Sequence, residues 1–407
     1  MAKKIKMLVI PSDKYGCSKF RSVGPHVYIA EHYSDEFDVD IVMPQDFGDR
    51  NMEDFFKQYD LIHIHKQLDR DCKLMNMIKF LDIPVIIDVD DHWLLGNDHP
   101  MSITAKSERW HEAIINHLKL ADYVTTTTPI FAETIKKYNK NVAVFPNAID
   151  PTEKQFALKK NPSNGMLRVG IICGSSHLKD IELLGGLVNA TAPNVQIVLC
   201  GFDTNGTITM INKDTGEKTQ RQIEPKESVW YSYEQILTSN YKGLNPKHVE
   251  FLNQFMKGVD DQFVNDKYRR MWTRNINEYA THYQNVDVLL APLKVNEFNR
   301  VKSELKTAEA GMTHTALIAQ DFGAYQINTV PMIEFGGKIN EEGNCLLVNT
   351  SKNHKDWVKY INKLAENPDM VKKLQDNLHK TVMENYTLEK VCADRVKLYK
   401  EIVNKTA

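Results

Sequence analysis

Two series of short, apolar, β-branched runs, each interleaved with amphipathic helical stretches, constrain this chain more than any other feature. The first series is IKMLVIP, DVDIVMP, LIHIH, PVIIDVD, YVTTTT and VAVFPN, with helical patterns such as VGPHVYIAEHYS and SERWHEAIINHLKLA between them. Runs that are apolar on both faces belong in a buried parallel sheet, which the intervening helices then cover on both sides. PTEKQFALKKNPSNG follows, polar, proline-bearing and closed by glycine, and it reads as a linker. The second series then begins: LRVGIIC, VQIVLCG, DVLLAPL, TALIAQD and CLLVNT. At 407 residues the chain exceeds one ordinary core. The reading is two α/β domains, residues 1–155 and 165–385, with a cleft between the carboxyl ends of their sheets, where open α/β folds bind ligands. Alternating Thr and Ile with N-G and T-G pairs predict a β-hairpin insertion at about 203–228 in the second domain, and residues 386–407 predict a final amphipathic helix.

Charge and cysteines narrow the function classes. A formal net charge of −2 gives no global attraction to nucleic acid or anionic lipid, so phosphate binding has to come from local groups. Cys17, Cys72, Cys173, Cys200, Cys345 and Cys392 are scattered and never spaced C-x-x-C, which argues for neither a zinc site nor a disulfide framework and fits a reducing cytoplasm. MAKKIKMLVIPSDK has an apolar run of only about five residues, shorter than a signal-peptide core. No stretch approaches the roughly 20 apolar residues of a membrane span.

The chemistry-bearing residues fall at predicted strand ends. VGIICGSSHLKD runs from strand through Gly174 into Ser175, Ser176 and His177, whose amides at a helix N-terminus either hold phosphate or simply cap the helix. VNEFNRVKSELKTAEAGM, read as one helix, sets Lys302, Lys306 and Glu309 within roughly a 60° arc beside an apolar stripe. Two cations there suit a diphosphate, Ser303 stands between them in sequence, and the carboxylate suits a ribose diol; the alternative is a Lys306–Glu309 ion pair on a solvated face. PVIIDVDDHWLLGN places Asp88, Asp90, Asp91 and His92 at a strand end. Clustered carboxylates raise one another's pKa, so Asp91 is a candidate base or acceptor-orienting group. GCSKFRSVGPH offers Lys19 and Arg21 to the same cleft, and His63 and His65, two residues apart on one strand face, read as satisfied histidines rather than metal ligands.

LAPLKVNEFNRVKSELKTAEAGM, VGIICGSSHLKD, VAVFPNAID and GNCLLVNTSKNHKDWVKYINKLAENPDMVKKL resemble the corresponding blocks of GT-B fold glycosyltransferases of the large family-four, glycosyl-transferases-group-one type. The resemblance covers about residues 140–400 and reaches the first half in outline. It implies two Rossmann-like domains facing each other, with the C-terminal helix crossing back to the first. It also implies a nucleotide-sugar donor on the second domain, held by Gly174, Ser175, Ser176 and His177 and by Lys302, Ser303 and Lys306, with Glu309 as the second glutamate of an E-x7-E motif. Val301 stands where the first glutamate belongs, with Glu297 and Glu304 the nearest acids, which marks a divergent branch. Lys19, Arg21, Asp88, Asp90 and His92 fall on the acceptor side. The implied activity is transfer of a hexose or pentose to an acceptor hydroxyl, retaining and metal-independent, with no cofactor beyond the donor. A glycan or glycoconjugate is the implied acceptor, lipid-linked or not. A phage-type enzyme acting on hydroxymethylated DNA bases and a catalytically silent nucleotide- or sugar-binding module are the alternatives.

Overall fold

The computed structural model describes residues 3–13, 16–97, 99–163, 165–211, 218–239, 241–243, 247, 258–260, 266–349 and 353–406. The first half builds β1 (Ile5–Ile10), β2 (Phe37–Ile41), β3 (Leu61–His65), β4 (Val85–Val89), β5 (Tyr123–Thr126) and β6 (Val142–Val144), all paired parallel in the order β2-β1-β3-β4-β5-β6. The second half repeats the plan with β7 (Leu167–Ile172), β8 (Val195–Phe202), then β11 (Tyr268–Trp272), β12 (Val288–Ala291), β13 (Ala316–Gln320) and β14 (Leu346–Val348), ordered β11-β8-β7-β12-β13-β14. β3, β4, β12 and β13 are buried at every residue, as their mainly apolar runs require, and the polar side chains they carry, His63, His65, Asp88 and Gln320, are buried with them. Strand order reverses between β1 and β3 in one sheet and between β7 and β12 in the other. Ligand crevices of open α/β sheets lie at such switch points, and the two found here are the β1/β3 and β7/β12 strand ends.

β9 (Thr207–Ile211) and β10 (Lys218–Gln222) pair antiparallel as a separate hairpin, whose turn lies outside the described residues. The last helix, Leu388–Thr406, leaves the second half and buries Val391, Cys392, Val396, Tyr399 and Ile402 against Met7, Val9, Ile29 and Phe37 of the first. The chain's two crossings between halves run side by side, Ile149 N–H donating to Tyr386 O at 2.9 Å and Leu388 N–H to Ile149 O at 3.0 Å.

Two local expectations change in the fold. PTEKQFALKKNPSNG is no free linker: Gln155 and Phe156 are buried, and Lys160 donates to the carbonyls of Tyr283 (2.8 Å) and Val286 (2.5 Å) and to Thr315 Oγ1 (2.5 Å) on the second half. The helix read over VNEFNRVKSELKTAEAGM is two helices, Glu297–Arg300 and Leu305–Met312. Val301 leaves the helical path because it plugs into the apolar core of the first half beside residues of β1, β3 and β4. Tertiary burial of one valine outweighs the few tenths of a kcal/mol per residue at stake in helix propensity.

Candidate functional site

A cleft of about 790 Å³ opens where the two switch points meet. From the second half come Cys173, Gly174, Ser175 and His177 after β7, Gly201 near the end of β8 and Asp203 just after it, and Lys302, Ser303, Lys306 and Glu309 after β12. Gly16, Cys17, Asp90, Asp91 and Asn147 face them from the first.

The Leu305–Met312 helix sets the cationic wall. Lys306 Nζ lies 2.7 Å from Glu309 Oε2 with the glutamate side chain only 1% exposed, so the pair is not on a solvated face. Glu309 also accepts from Tyr279 Oη at 2.6 Å and Tyr283 Oη at 2.8 Å. A carboxylate offers about four lone-pair positions, so one remains for a ligand. Lys302, carried on the non-helical break rather than on a shared helix face, has its Nζ 5.0 Å from the Phe298 ring centre. Ser303 Oγ accepts from Asn147 Nδ2 across the cleft at 3.0 Å.

The loop after β7 behaves differently from the sequence expectation. Its helix, Leu178–Ile181, has only four residues, too short for a strong N-terminal dipole. The His177 amide is already committed to Tyr233 Oη at 2.9 Å, and that hydroxyl donates on to Gly174 O at 3.1 Å. Gly174, Ser175 and Ser176 stay exposed, and a side chain at Gly174 would meet nothing within 4 Å. The His177 ring points Nδ1 at Asp180 Oδ2, 2.8 Å away, while burial, then Lys302, keeps it below the ordinary histidine pKa; neutral, it presents Nε2 as an acceptor.

On the facing wall the three aspartates separate. Asp88 is fully buried, bound by Arg21 Nε at 2.9 Å and Nη2 at 2.7 Å and by Thr125 Oγ1 at 2.6 Å, so neither Asp88 nor Arg21 is available to an acceptor. Asp90 accepts from Lys66 Nζ at 2.6 Å, with His65 Nε2 at 3.3 Å. Burial alone would raise its pKa, but Lys66 and His65 outweigh burial and hold it well below the usual range. The expected mutual elevation is therefore reversed at Asp90, because a cation sits between the carboxylates. Asp91 keeps 38% of its side chain exposed, 3.8 Å from Lys66, and opens on the cleft.

The remaining acceptor-side residues lie elsewhere. Lys19 binds Glu153 at 2.5 Å and lines a neighbouring cavity of about 560 Å³. His92 stacks on Trp93, ring centres 4.9 Å apart, away from the cleft lining. His65 is satisfied by Ser12 and Asp90, whereas both ring nitrogens of buried His63 have no partner. Among the described residues one group has metal-ligand geometry, Cys17, Asp90 and Asp91, with ligand atoms within 4.8 Å of one another. The Lys66 ammonium lies beside this group, 2.6 Å from Asp90 and 3.8 Å from Asp91.

No family model matches the sequence, and no curated protein does. Solved structures do match along the whole chain. Sucrose-phosphate synthase from Thermosynechococcus elongatus superposes with a TM-score of 0.60 at 14% identity, covering 98% of this chain and 100% of that one. Anabaena HepE, solved in complex with UDP and glucose, gives 0.62 at 12% over 98% and 100%. A putative UDP-N-acetylglucosamine 2-epimerase from Listeria monocytogenes gives 0.56 at 10% over 100% and 98%. The chain has the GT-B fold.

At such identities the likeness is one of fold, and a GT-B frame hosts more than one chemistry, so function has to be argued from the cleft. Several residues that line it or hold its lining escaped sequence reasoning. Lys66 follows two histidines at the end of β3, and its position at a strand end beside an acidic strand end was the available signal. Tyr279, Tyr283 and Asn147 carried none, since their partners lie 26 to 156 residues away. Among the described residues no helix is long and apolar enough to cross a membrane.

Proposed function

We propose that this GT-B chain is a glycosyltransferase that moves a hexose or pentose from a nucleotide-sugar donor to an acceptor hydroxyl. The observation that carries the reading is one cleft with Lys302, Lys306 and Ser303 at a helix N-terminus on one wall and a half-buried Asp91 on the other. In it, the diphosphate lies against the two lysines. Negative charge grows on the leaving phosphate as the glycosidic bond breaks, so cations fixed there lower the barrier rather than merely bind. Glu309, with its one remaining acceptor position, takes a ribose hydroxyl. Solved complexes of the HepE structural neighbour contain UDP and glucose, which supports this donor class.

The reading is metal-independent, supported by the Lys66 ammonium lodged between Asp90 and Asp91. Its acceptor is a glycan or glycoconjugate: a net charge of −2 and a carboxylate-bearing wall oppose the polyanionic backbone of DNA. Retention of configuration follows the resemblance. Asp91 is the carboxylate left for a base-assisted inverting displacement, and NMR of the product anomer distinguishes the two.

The test is a thermal-shift screen of nucleoside diphosphates and their sugars, followed by donor hydrolysis without acceptor. The matching nucleotide at a hundredfold excess over Kd stabilises by about 2.7 kcal/mol. Lys306→Ala then lowers kcat more than donor affinity. No shift with any nucleotide, or no hydrolysis from a bound donor, removes the reading.

A further inference from the structure

Asp88 and Arg21, which a ligand in the cleft does not touch, begin a chain of polar contacts that ends on the cleft wall. Beyond its bidentate hold on Asp88, Arg21 donates through Nη1 to Phe145 O at 2.6 Å and to Asn147 Oδ1 at 3.2 Å. Asn147, itself 6% exposed, donates through Nδ2 to Ser303 Oγ at 3.0 Å.

Each link has only one direction. A guanidinium has donors and no acceptor, so it must face the amide oxygen of Asn147 rather than its nitrogen. That choice turns the NH2 group toward Ser303. A serine oxygen receiving that N–H keeps its own O–H free, and Ser303 stands between Lys302 and the first turn of the Leu305–Met312 helix on the cleft wall. Buried ion pairing in the first half thus fixes the polarity of a hydroxyl in the second.

We infer that Asp88, Arg21 and Asn147 form a positioning relay that makes Ser303 a hydrogen-bond donor to an anionic ligand group, the diphosphate of the donor. The inference rests on the donor-site reading above. Asn147 is a positioning residue acting through Ser303, and the relay exists only while the two halves stand as they do, so it couples the first half to the grip on the donor.

A double-mutant cycle tests it, with inorganic pyrophosphate and UDP as probes in titration calorimetry and the melting temperature recorded for every variant. Asn147→Ala should weaken binding about 5-fold in the wild-type background, the scale of one hydrogen bond, and less than about 2-fold when Ser303→Ala is already present. Asn147→Asp should weaken it about 10-fold or more, because a carboxylate accepts from Arg21 and from Ser303 and turns the hydroxyl away from the ligand. A residue that merely fills space would make the two Asn147 variants alike. Should the Asn147 variants fail to fold, Ser303→Thr, which keeps the hydroxyl, should bind like wild type while Ser303→Val does not. Additive losses, or equal binding by Ser303→Thr and Ser303→Val, overturn the relay and leave the donor site standing. A wild-type protein that binds neither pyrophosphate nor any nucleoside diphosphate sinks the functional reading and the relay together.

Discussion

Glu309 shows how far burial changes the meaning of a residue. On a solvated helix face its pair with Lys306 would contribute under about 1 kcal/mol, and the fold would scarcely register its loss. In the structure the carboxylate is buried in the cleft wall and holds two tyrosine hydroxyls besides the lysine. Glu309→Ala should therefore cost about 3–5 kcal/mol of stability, because it strands those hydroxyls and a partly buried ammonium. Urea denaturation of the variant decides this, and a loss below about 1 kcal/mol would return the pair to the solvated class. Glu309→Gln, which keeps an acceptor oxygen, should lose less. The cation beside it answers to a different measurement, turnover, since Lys306 keeps 23% of its side chain open to the cleft.

At the scale of elements, the Leu305–Met312 helix is placed from both ends. Just before it, Val301 packs in the apolar core of the first half and Glu304 is buried. Behind it, Gly311 lies so close to the Pro368–Asn385 helix that a Cβ would fall 2.4 Å from Val382 Cγ2 and 2.8 Å from Leu378 O. Alanine in a helix interior normally stabilises by about 1 kcal/mol relative to glycine. Here the obstructing atom includes backbone carbonyl, so Gly311→Ala should destabilise by about 1–3 kcal/mol and, by pushing the helix toward the cleft, weaken nucleotide binding as well. Equal or higher stability in calorimetry would mean that the packing yields more easily than these distances imply.

At the scale of the whole molecule, buried titratable groups in both halves set the response to acid. Burial, with Arg395, holds His26 down to about pKa 3, and burial, with Arg274 and Arg269, does the same for His282. Burial, then His26, also holds His63 well below 6.5. Unfolded, all three take up protons near 6.5, so their contribution is full above that pH and is lost as pH falls toward 3. Glu304 works the other way: burial raises it to about 7 from 4.5, so its contribution is present below 4.5 and is lost as pH rises through 7. His177, His92, His117 and His314 are lowered as well, so near pH 5.5 the depressed histidines outnumber Glu304, the unfolded chain binds more protons than the folded one, and stability falls on acidification. Urea midpoints at pH 7 and pH 5.5 should differ accordingly. A flat profile, or higher stability at the lower pH, would show that these histidines charge without unfolding.

What the sequence determined by itself was whatever short-range patterning controls. Apolar runs of strand length, helical periodicity between them and the repetition of that plan dictate two parallel sheets with helical cover, and strand ends locate a cleft. The final helix was legible from its amphipathic period, and its crossing to the first half came from the resemblance and is seen in the fold. Only tertiary structure decided which charges remain free. Asp88, Asp90 and Asp91 are near neighbours in sequence, yet Arg21 removes the first, Lys66 ties the second and the third stays open. Only packing broke the Val295–Met312 stretch at Val301, and only packing brought Asn147 to Ser303 across 156 residues. Local patterns record whether a side chain prefers water. They do not record which distant partner meets it once the halves close, and for ionisable groups in low dielectric that partner decides the chemistry.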